Sequence, residues 1–461
     1  MDTKPELVRL PADLPRFGGR STARRLLPAV AWVFAYCLLA AFPLVILLLG
    51  KIPPGGGYWW DFAMALGFGG LAIMGLQSVL TARFRRATGP FGMDIIYYFH
   101  RLAAVGGFGL ILGHYLILRT RYGEALGPVN PISAPWPMTA GRSALVMFGA
   151  LIVSSLWRKK LRLEYDRWRV LHALLAVMAV ALAVAHILGV GHYTQAVWQG
   201  AVWTAYSVLW VLVVGYVRLV RPAILLRAPY RVTEVRQERG RTWTIALTAE
   251  SHAGIKFSPG QFAWLTLRSS PFRAKEHPFS FSGSAADRTT WRFSIKELGD
   301  FTRTIKEVRV GELAYIDGPH GVFTTDRHPQ APGFVFIAGG VGIAPLMSML
   351  RTLADRGDPR PMRLVYGNGR WDDVLFREEI DLLSSRLRLT TTHVLQDPPA
   401  GWKGATGLLT EGILREAVPE PARSGVFFVC GPKPMIDAVQ RALRRLGIPL
   451  HRIHFELFDM A

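Results

Sequence analysis

The sequence predicts three structural parts: a bundle of six membrane-spanning helices, an antiparallel β-barrel, and an α/β domain built on a parallel sheet. Three observations lead to this fold class. Half of the 461 residues are hydrophobic, and the excess lies in the first 220. Short segments that alternate between apolar and polar residues follow over about 228–325. From about residue 333 the strand patterns alternate with helix patterns, which is typical of a parallel sheet.

Six apolar runs account for the membrane part. A helix needs roughly 20 residues to cross a hydrocarbon core about 30 Å thick, and most of the runs reach that length. The fourth run is the shortest. The runs lie at about 28–50, 60–82, 95–118, 143–157, 168–190 and 198–217. The polar first 26 residues have no evident small-residue cleavage site, so we do not expect a removable signal peptide.

The basic residues favour one orientation of these helices. They cluster on one side: before the first run, after the second, between the fourth and fifth, and after the sixth. The clusters are Arg16, Arg20, Arg24 and Arg25; Arg83, Arg85 and Arg86; Arg158, Lys159, Lys160, Arg162, Arg167 and Arg169; and Arg218 and Arg221. The positive-inside rule then places both termini in the cytoplasm. These clusters explain much of the net charge of +21, which argues against a nucleic-acid-binding protein.

Two of the apolar runs carry histidines at the same spacing. His100 and His114 are fourteen residues apart in the third run, and His172 and His186 are fourteen apart in the fifth. Fourteen residues climb roughly 21 Å along a helix and return to within about 40° of the starting face. Six spans make the third and fifth helices parallel, so His100 would face His172 and His114 would face His186.

A single histidine in such a run is most simply a polar residue packed inside the bundle. The same spacing in two parallel helices instead favours axial ligands, because neutral imidazole binds haem iron strongly. The sequence therefore predicts a six-helix transmembrane haem bundle with two haems. The only two cysteines, Cys37 and Cys430, are too few for an iron–sulfur cluster or a disulfide framework.

The soluble half contains motifs at the ends of predicted strands. "HPFSFS" and "GDFTRTI" lie in the barrel, and the second opens a helix whose free N–H groups suit a diphosphate. "GGVGIAP" follows an apolar strand and opens a helix, so its glycines allow a nucleotide diphosphate to approach the backbone. "VYGNGR" and "CGPKPM" end later strands, where ligands of parallel sheets bind.

Together with "GPHGVFT" and the C-terminal "FELFDM", these motifs resemble the ferredoxin–NADP reductase type of flavin dehydrogenase. Joined to six spans with paired histidines, the chain resembles the NADPH oxidase and ferric reductase family in its short bacterial form. The resemblance covers roughly residues 30–461. No "DxDxDG" calcium loop precedes the first span. The implied parts are a cytoplasmic segment at 1–26, a ferric reductase-like haem domain at 27–222, an FAD-binding barrel at 226–328 and an NAD(P)-binding domain at 329–461.

The resemblance also implies roles for individual residues. Around FAD it places His277, Pro278, Phe279 and Ser280 at the flavin ring, and Gly299, Phe301 and Thr302 at the diphosphate. Around the nicotinamide dinucleotide it places Gly339, Gly340, Gly342 and Pro345, with Cys430 and Gly431 near the nicotinamide. The Ser280 hydroxyl would lie near the atom that accepts hydride. Phe458, rather than Phe455, would stack on the flavin, although packing in a last strand explains Phe458 equally well.

These residues predict an electron-transfer enzyme of the inner membrane that passes electrons from NAD(P)H through FAD and two haems to an outer acceptor. NADPH is the favoured donor because Arg370 would meet a 2′-phosphate, with Arg377 as a second candidate. Oxygen, giving superoxide, is the favoured acceptor, and a ferric chelate is the alternative. His192 is expected at the surface, and the outer arginines Arg119, Arg121 and Arg142 would pair with haem propionates or attract an anion. A membrane-anchored flavin reductase that serves a partner protein is a further alternative.

Overall fold

A computed structural model describes residues 19–49, 56–84, 91–194, 196–273 and 275–456. Among these residues, six helices are long and apolar enough to cross a membrane. The helices of this part are α1 (Gly19–Leu49), α2 (Tyr58–Thr81), α3 (Met93–Arg121), α4 (Trp136–Leu156), α5 (Tyr165–Val190) and α6 (Val197–Gly215). The prediction of six spans is confirmed.

Two helix boundaries differ from the sequence-based expectation. Helix α4 begins at Trp136 rather than near residue 143, with Pro137 in its first turn, where proline is favoured. Polar Thr139 and Arg142 interrupt the apolar pattern of this first segment and hide its helical character. At the other end of the bundle, α6 continues through a π-helical segment (Tyr216–Val220) into α7 (Arg221–Leu226).

Close helix packing in the bundle depends on glycines. A Cβ added to Gly70 of α2 would lie 2.9 Å from the carbonyl oxygen of Gly107 in α3. A Cβ added to Gly75 would lie 2.1 Å from the ring of Trp210 in α6. Both separations are below those that real Cβ atoms adopt, so a side chain at either position would push the helices apart.

The barrel consists of six antiparallel strands among the described residues. They are β1 (Tyr230–Glu238), β2 (Thr242–Ala249), β3 (Phe262–Leu267), β4 (Glu276–Ser280), β5 (Thr290–Lys296) and β6 (Leu313–His320). Their order is β4-β3-β6-β1-β2-β5. An antiparallel bridge between Phe281 and Phe293 joins the two outer strands, so the sheet curls toward closure.

The last part is a six-stranded parallel sheet, as the strand–helix alternation predicts. Its strands are β7 (Phe334–Gly339), β8 (Met362–Asn368), β9 (Leu389–Leu395), β10 (Ala405–Thr406), β11 (Val426–Cys430) and β12 (Ile453–Glu456). Their order is β10-β9-β8-β7-β11-β12. Helices cover both faces, because side chains that alternate along the central strands are apolar on each side.

Two helices pack on each face of this sheet. One face is covered by α9 (Ile343–Asp355) and α10 (Arg377–Arg386), and the other by α11 (Glu411–Ala417) and α12 (Lys433–Arg445). Helix α9 also touches the barrel: the Arg351 guanidinium donates to the carbonyl of Ser282, and Thr352 accepts from the N–H of Ala285. These contacts fix the two soluble parts against each other.

Candidate functional site

Two of the four predicted haem ligands, His114 and His186, make the same kind of contact, with a backbone carbonyl of the preceding helix. The Nδ1 atom of His114 in α3 lies 2.8 Å from the carbonyl oxygen of Ala63 in α2. The Nδ1 atom of His186 in α5 lies 2.8 Å from the carbonyl oxygen of Pro137 in α4. A carbonyl oxygen only accepts hydrogen bonds, so each Nδ1 carries the proton and each Nε2 keeps its lone pair. This is the tautomer that a metal-binding imidazole needs.

A glycine lies against each of these two rings. A Cβ at Gly67 would lie 2.9 Å from Nδ1 of His114, and a Cβ at Gly141 would lie 2.8 Å from Nδ1 of His186. Each glycine is four residues after the residue whose carbonyl binds the histidine, so the carbonyl and the glycine lie on one helix face. The pairs α2–α3 and α4–α5 therefore hold their histidines in the same way.

His114 and His186 line one cavity at the end of the bundle far from the soluble domains. The cavity is open on one side, and the space between its lining atoms, counted out to that open side, is about 1140 Å³. Most of its lining is apolar, including Phe68, Leu145 and Phe148. Two imidazoles with available Nε2 atoms in a large apolar cavity fit a haem, which is a flat apolar ring with a metal at its centre.

The inner pair, His100 and His172, is held differently. The Nδ1 atom of His172 lies 3.3 Å from the hydroxyl of Ser155, which itself donates to the carbonyl of Leu151 at 2.6 Å. That hydroxyl has one hydrogen, so it accepts from His172, which takes the same tautomer as the outer pair. Nδ1 of His100 is buried and has no hydrogen-bond partner within the described residues. No sequence pattern points to Ser155, because its contact with His172 depends on how α4 packs against α5.

His192, which the sequence analysis expects at the surface, lies in the outer cavity. Rather than lying at the surface, its ring lines the outer cavity and stands edge-on to Trp60 and Tyr193, with centroid distances of 5.8 and 4.8 Å. Within the described residues, no group of three or more His, Cys, Asp or Glu side chains is placed to hold a metal ion. His114 and His186 both line this cavity, and axial ligation of a haem iron uses two such ligands.

The residues expected at the flavin lie on β4, on the short helix α8 (Asp300–Arg303) and at Gly299 directly before that helix. The ring of His277 stacks on that of Phe301, with a centroid distance of 3.8 Å. Burial lowers the pKa of His277, so the ring is neutral near pH 7. The hydroxyl of Ser280 and Nε2 of His277 are buried without a hydrogen-bond partner among the described residues. Two such polar atoms fit a site whose partner is a polar ligand.

Two other residues of this set have structural contacts of their own. The Thr302 hydroxyl accepts hydrogen bonds from the N–H groups of Leu298 and Gly299, at 2.9 and 2.8 Å. It therefore shapes the turn in which Gly299 lies. A Cβ on Gly299 would meet no described atom within 4 Å, so this turn has open space beside it.

The glycine-rich loop after β7 packs directly against the end of β11. A Cβ on Gly342 would lie 2.3 Å from the carbonyl oxygen of Cys430, and a Cβ on Gly431 would lie 3.1 Å from the amide nitrogen of Gly339. Gly340 has φ of +55° and accepts a hydrogen bond from the Tyr366 hydroxyl at 3.1 Å. Only glycine tolerates this approach of backbones. The structure thus brings the predicted nucleotide loop and the predicted nicotinamide residues together at the carboxyl ends of adjacent strands.

Cys430 is fully buried, and burial raises the pKa of its thiol, so the group stays protonated. Pro345 is buried in the first turn of α9. Phe455 is partly buried in β12 beside Val429 of β11. Phe458 lies outside the described residues.

The two arginines considered for the donor differ in their surroundings. The Arg370 side chain is 68% exposed, and its Nε lies 3.4 Å from Asp373. The Arg377 side chain is 23% exposed and lies over the Trp371 ring, 5.0 Å from its centroid. Its Nη1 is buried without a hydrogen-bond partner in the described part of the chain. Of the two arginines, Arg377 therefore has the hydrogen-bond donor that is better placed for a 2′-phosphate.

Comparison with known proteins supports this division of the chain. Residues 66–184 match the family described as a ferric reductase like transmembrane component, and residues 336–441 match the oxidoreductase NAD-binding domain. NADH-cytochrome b5 reductase 1 of Cryptococcus neoformans is 34% identical over 176 residues, which are 35% of this chain and 58% of that protein. The protein of the same name from Candida albicans is 35% identical over 154 residues, which are 33% of this chain and 52% of that protein.

The chain therefore spans less than two thirds of the length of these relatives. Among solved structures, the ferredoxin reductase in carbazole 1,9a-dioxygenase has 25% identity and a TM-score of 0.44, over 50% of this chain and 69% of that chain. A flavohaem-like FAD/NAD-binding domain of nitric oxide dioxygenase from Vibrio cholerae has 23% identity and a TM-score of 0.45, over 50% of this chain and 97% of that chain. The two family matches lie in this order along a chain with six candidate spans among its described residues. The chain is therefore similar to the ferric reductase and NADPH oxidase-like family: a region that matches a ferric reductase like transmembrane component precedes a region that matches an oxidoreductase NAD-binding domain.

Proposed function

We propose that this protein carries electrons from cytoplasmic NAD(P)H, through FAD in the barrel and two haems in the bundle, to an acceptor on the outer side of the membrane. FAD, when bound, turns a two-electron hydride donor into a source of single electrons, which haem iron can pass on. The observation that carries the proposal is the repeated histidine arrangement. Two helices each present an imidazole with Nδ1 on a carbonyl and Nε2 available, at one apolar cavity.

The soluble residues supply the positions that hydride transfer requires. A Cβ on Gly340 would meet no described atom within 4 Å, which leaves room for a dinucleotide at the strand ends, while Gly342 and Gly431 let the two loops there pack closely. The Ser280 hydroxyl is buried and available to a flavin ring. Neutral His277, stacked on Phe301, gives that site a flat apolar wall and excludes water from it. Cys430 stays a thiol and does not add a negative charge beside the donor.

Contacts between the membrane domain and the barrel support the proposed orientation. Arg169, three residues before His172 on α5, donates to the carbonyl of Glu276 at 3.4 Å, and Glu276 directly precedes His277. The inner histidine pair therefore faces the flavin residues, and the outer pair lies toward the opposite side. Since basic loops stay in the cytoplasm, this arrangement supports a cytoplasmic dehydrogenase and an outer acceptor.

Oxygen, giving superoxide, is the acceptor that the outer cavity favours. Its lining is mainly apolar, which admits a small neutral molecule. The Arg142 guanidinium lines it but donates to the carbonyls of Pro128, Leu126 and Gly127, at 2.6, 2.7 and 3.2 Å. These bonds compete with an anionic chelate for the same donors. A ferric chelate is the second acceptor class, because the membrane domain matches the ferric reductase-like family.

The deciding experiment supplies NADPH to the purified protein in air and follows the reduction of cytochrome c with and without superoxide dismutase. The proposal predicts a signal that the dismutase suppresses. A signal that ignores the dismutase, combined with rapid reduction of a ferric chelate under nitrogen, would identify a ferric reductase instead. Failure to reduce either acceptor, with rapid flavin reduction, would favour a flavin reductase that serves a partner protein.

A further inference from the structure

Five buried charged residues join the membrane domain to the barrel. We call them the interface cluster: Arg83, Arg169 and Arg221 from the cytoplasmic ends of the second, fifth and sixth spans, and Glu276 and Asp317 from the barrel. Arg83 reaches both carboxylates, at 2.8 Å to Glu276 and 3.3 Å to Asp317. Arg221 binds Asp317 at 2.7 Å and the carbonyl of Ala82 at 3.0 Å. Arg169 lies 3.7 Å from the Glu276 carboxylate.

The cluster is shielded from water. Its side chains are between 11% and 18% exposed. The Arg83 guanidinium lies over the ring of Trp264 in β3, 3.7 Å from the centroid. Met93 and Tyr97 of α3 pack against Phe262 and Trp264, which closes one side of the cluster with apolar groups. Breaking a buried ion pair on one side leaves the other charge without compensation, so the contact resists displacement.

The charges of the cluster compensate each other. Burial alone would raise the pKa of Glu276, but the positive charges of Arg83 and Arg169 outweigh it and hold that pKa below its usual range. Burial likewise opposes the charge of Asp317, whereas the His320 ring, 3.7 Å away, and the charges of Arg221 and Arg83 lower its pKa. Both carboxylates are therefore ionised at neutral pH.

Two residues of the interface cluster are close in sequence to predicted cofactor-binding histidines. Glu276 directly precedes His277 on the flavin strand β4, and Arg169 is three residues before His172 on the histidine helix α5. The cluster thus links the strand that would hold the flavin to the helix that would hold the inner haem. An electron crosses between two such groups at a rate that falls steeply with their separation.

We propose that the interface cluster consists of positioning residues: it fixes the flavin strand at the distance from the inner histidine pair at which electrons cross between the domains. This inference rests on the proposed function. None of the five residues needs to touch the reacting atoms. Its effect would be felt in the step from flavin to haem and not in the step from nicotinamide to flavin.

The test separates these two steps by anaerobic stopped-flow spectroscopy of the full-length, cofactor-loaded protein. Glu276→Gln keeps the shape of the side chain but removes its charge. We expect flavin reduction by NADPH to stay within about twofold of wild type, whereas haem reduction slows by about tenfold or more, since a displacement of 1 Å can cost on the order of 100-fold. Absorbance spectra and the FAD and haem contents should stay unchanged. Glu276→Asp should restore part of the rate.

Two further variants keep the test decisive. Asp317→Asn weakens the contacts of both Arg83 and Arg221 and should give the same pattern if Glu276→Gln does not fold. Glu250→Gln breaks an ion pair of 2.6 Å in the same barrel, but its partners Glu250 and Arg231 are 38% and 46% exposed, so neither step should change.

Two results would overturn the inference: haem reduction at the wild-type rate in both cluster variants, or an equal loss of both steps, which would mean a purely structural role. Wild-type protein that reduces its flavin but never its haem would refute the proposed function itself.

Discussion

The imidazole of His114 is fixed by the carbonyl oxygen of Ala63, 2.8 Å from its Nδ1, across the boundary between two helices. The same relationship recurs between His186 and Pro137. In both cases the bond orients the ring and leaves Nε2 available, which is the usual outer contact of a metal-binding histidine. A histidine that only filled space in the bundle would not require this repeated tautomer.

The first prediction concerns the outer pair. His114→Leu removes one imidazole from the outer cavity and leaves the dehydrogenase untouched. We expect about one haem per chain instead of about two, with flavin reduction by NADPH at the wild-type rate. Pyridine haemochrome assays and stopped-flow absorbance measure the two quantities. Loss of flavin reduction in this variant would show that the assignment of roles to the two halves is wrong.

The second prediction concerns the glycine beside that ring. Alanine in a helix normally gains up to about 1 kcal/mol over glycine. Gly67→Ala should instead destabilise the protein by about 1–3 kcal/mol, because overpacking forces the neighbouring ring to move. Its Cβ would meet Nδ1 of His114 at 2.9 Å.

Gly109→Ala in α3 is the matched control, since its Cβ would meet no described atom within 4 Å. Gly67→Ala should therefore lower the unfolding temperature and the haem content relative to wild type. Gly109→Ala should unfold at or above the wild-type temperature and keep its haem content. The packing argument fails if Gly67→Ala keeps its full haem content and its unfolding temperature is equal to or higher than that of Gly109→Ala.

The third prediction concerns the donor. The Arg377 guanidinium binds Glu378 through Nε at 2.9 Å but has a buried Nη1 without a partner in the described part of the chain, whereas the Arg370 side chain is exposed and binds Asp373. Arg377→Ala should lower the preference for NADPH over NADH by about tenfold, the size of one charge-assisted hydrogen bond. Arg370→Ala should change it by less than about twofold, as for an exposed ion pair.

Flavin reduction with each nucleotide gives the ratio for every variant. If the NADPH-to-NADH ratio falls only in Arg370→Ala, Arg370 and not Arg377 binds the 2′-phosphate. A wild-type protein that prefers NADH would contradict both assignments.

The fourth prediction concerns pH. The interface carboxylates have lowered pKa values in the folded protein, so the stability they contribute is present above their unfolded pKa of about 4. It is lost as the pH falls through the lower folded values. Asp317→Asn should cost about 3–5 kcal/mol, the usual effect of breaking a buried ion pair.

That cost should be constant between about pH 5 and 8 and shrink below about pH 4, where the wild-type carboxylate loses its advantage. Unfolding of wild type and variant across this range gives the difference directly. A cost that grows as the pH falls would contradict the proposed ionisation state.

The sequence was most informative where periodicity is local. Apolar length predicted the six spans, and strand–helix alternation predicted the parallel sheet. Apolar length does not predict the start of α4, because Arg142 interrupts the apolar run. In the folded protein the Arg142 guanidinium donates hydrogen bonds to three backbone carbonyls of the preceding segment. Such compensation is a tertiary property.

The candidate site shows the same division. The fourteen-residue spacing from His100 to His114 and from His172 to His186 is visible in the sequence. The contacts of Gly67, Gly141 and Ser155 are not, because they form only when helices pack. Arg83, Arg169 and Arg221 were interpreted as orientation signals. They also bind the barrel carboxylates, a role that no local pattern encodes.

In the proposed function, one chain holds a flavin and two haems in electronic contact. The most direct test measures FAD and haem in the purified protein and then adds NADPH without oxygen while recording the haem absorbance. The proposed function predicts about two low-spin haems for each FAD, with both haems reduced after the flavin. Fully loaded protein with one haem or none, or haems that stay oxidised beside a fully reduced flavin, would contradict it.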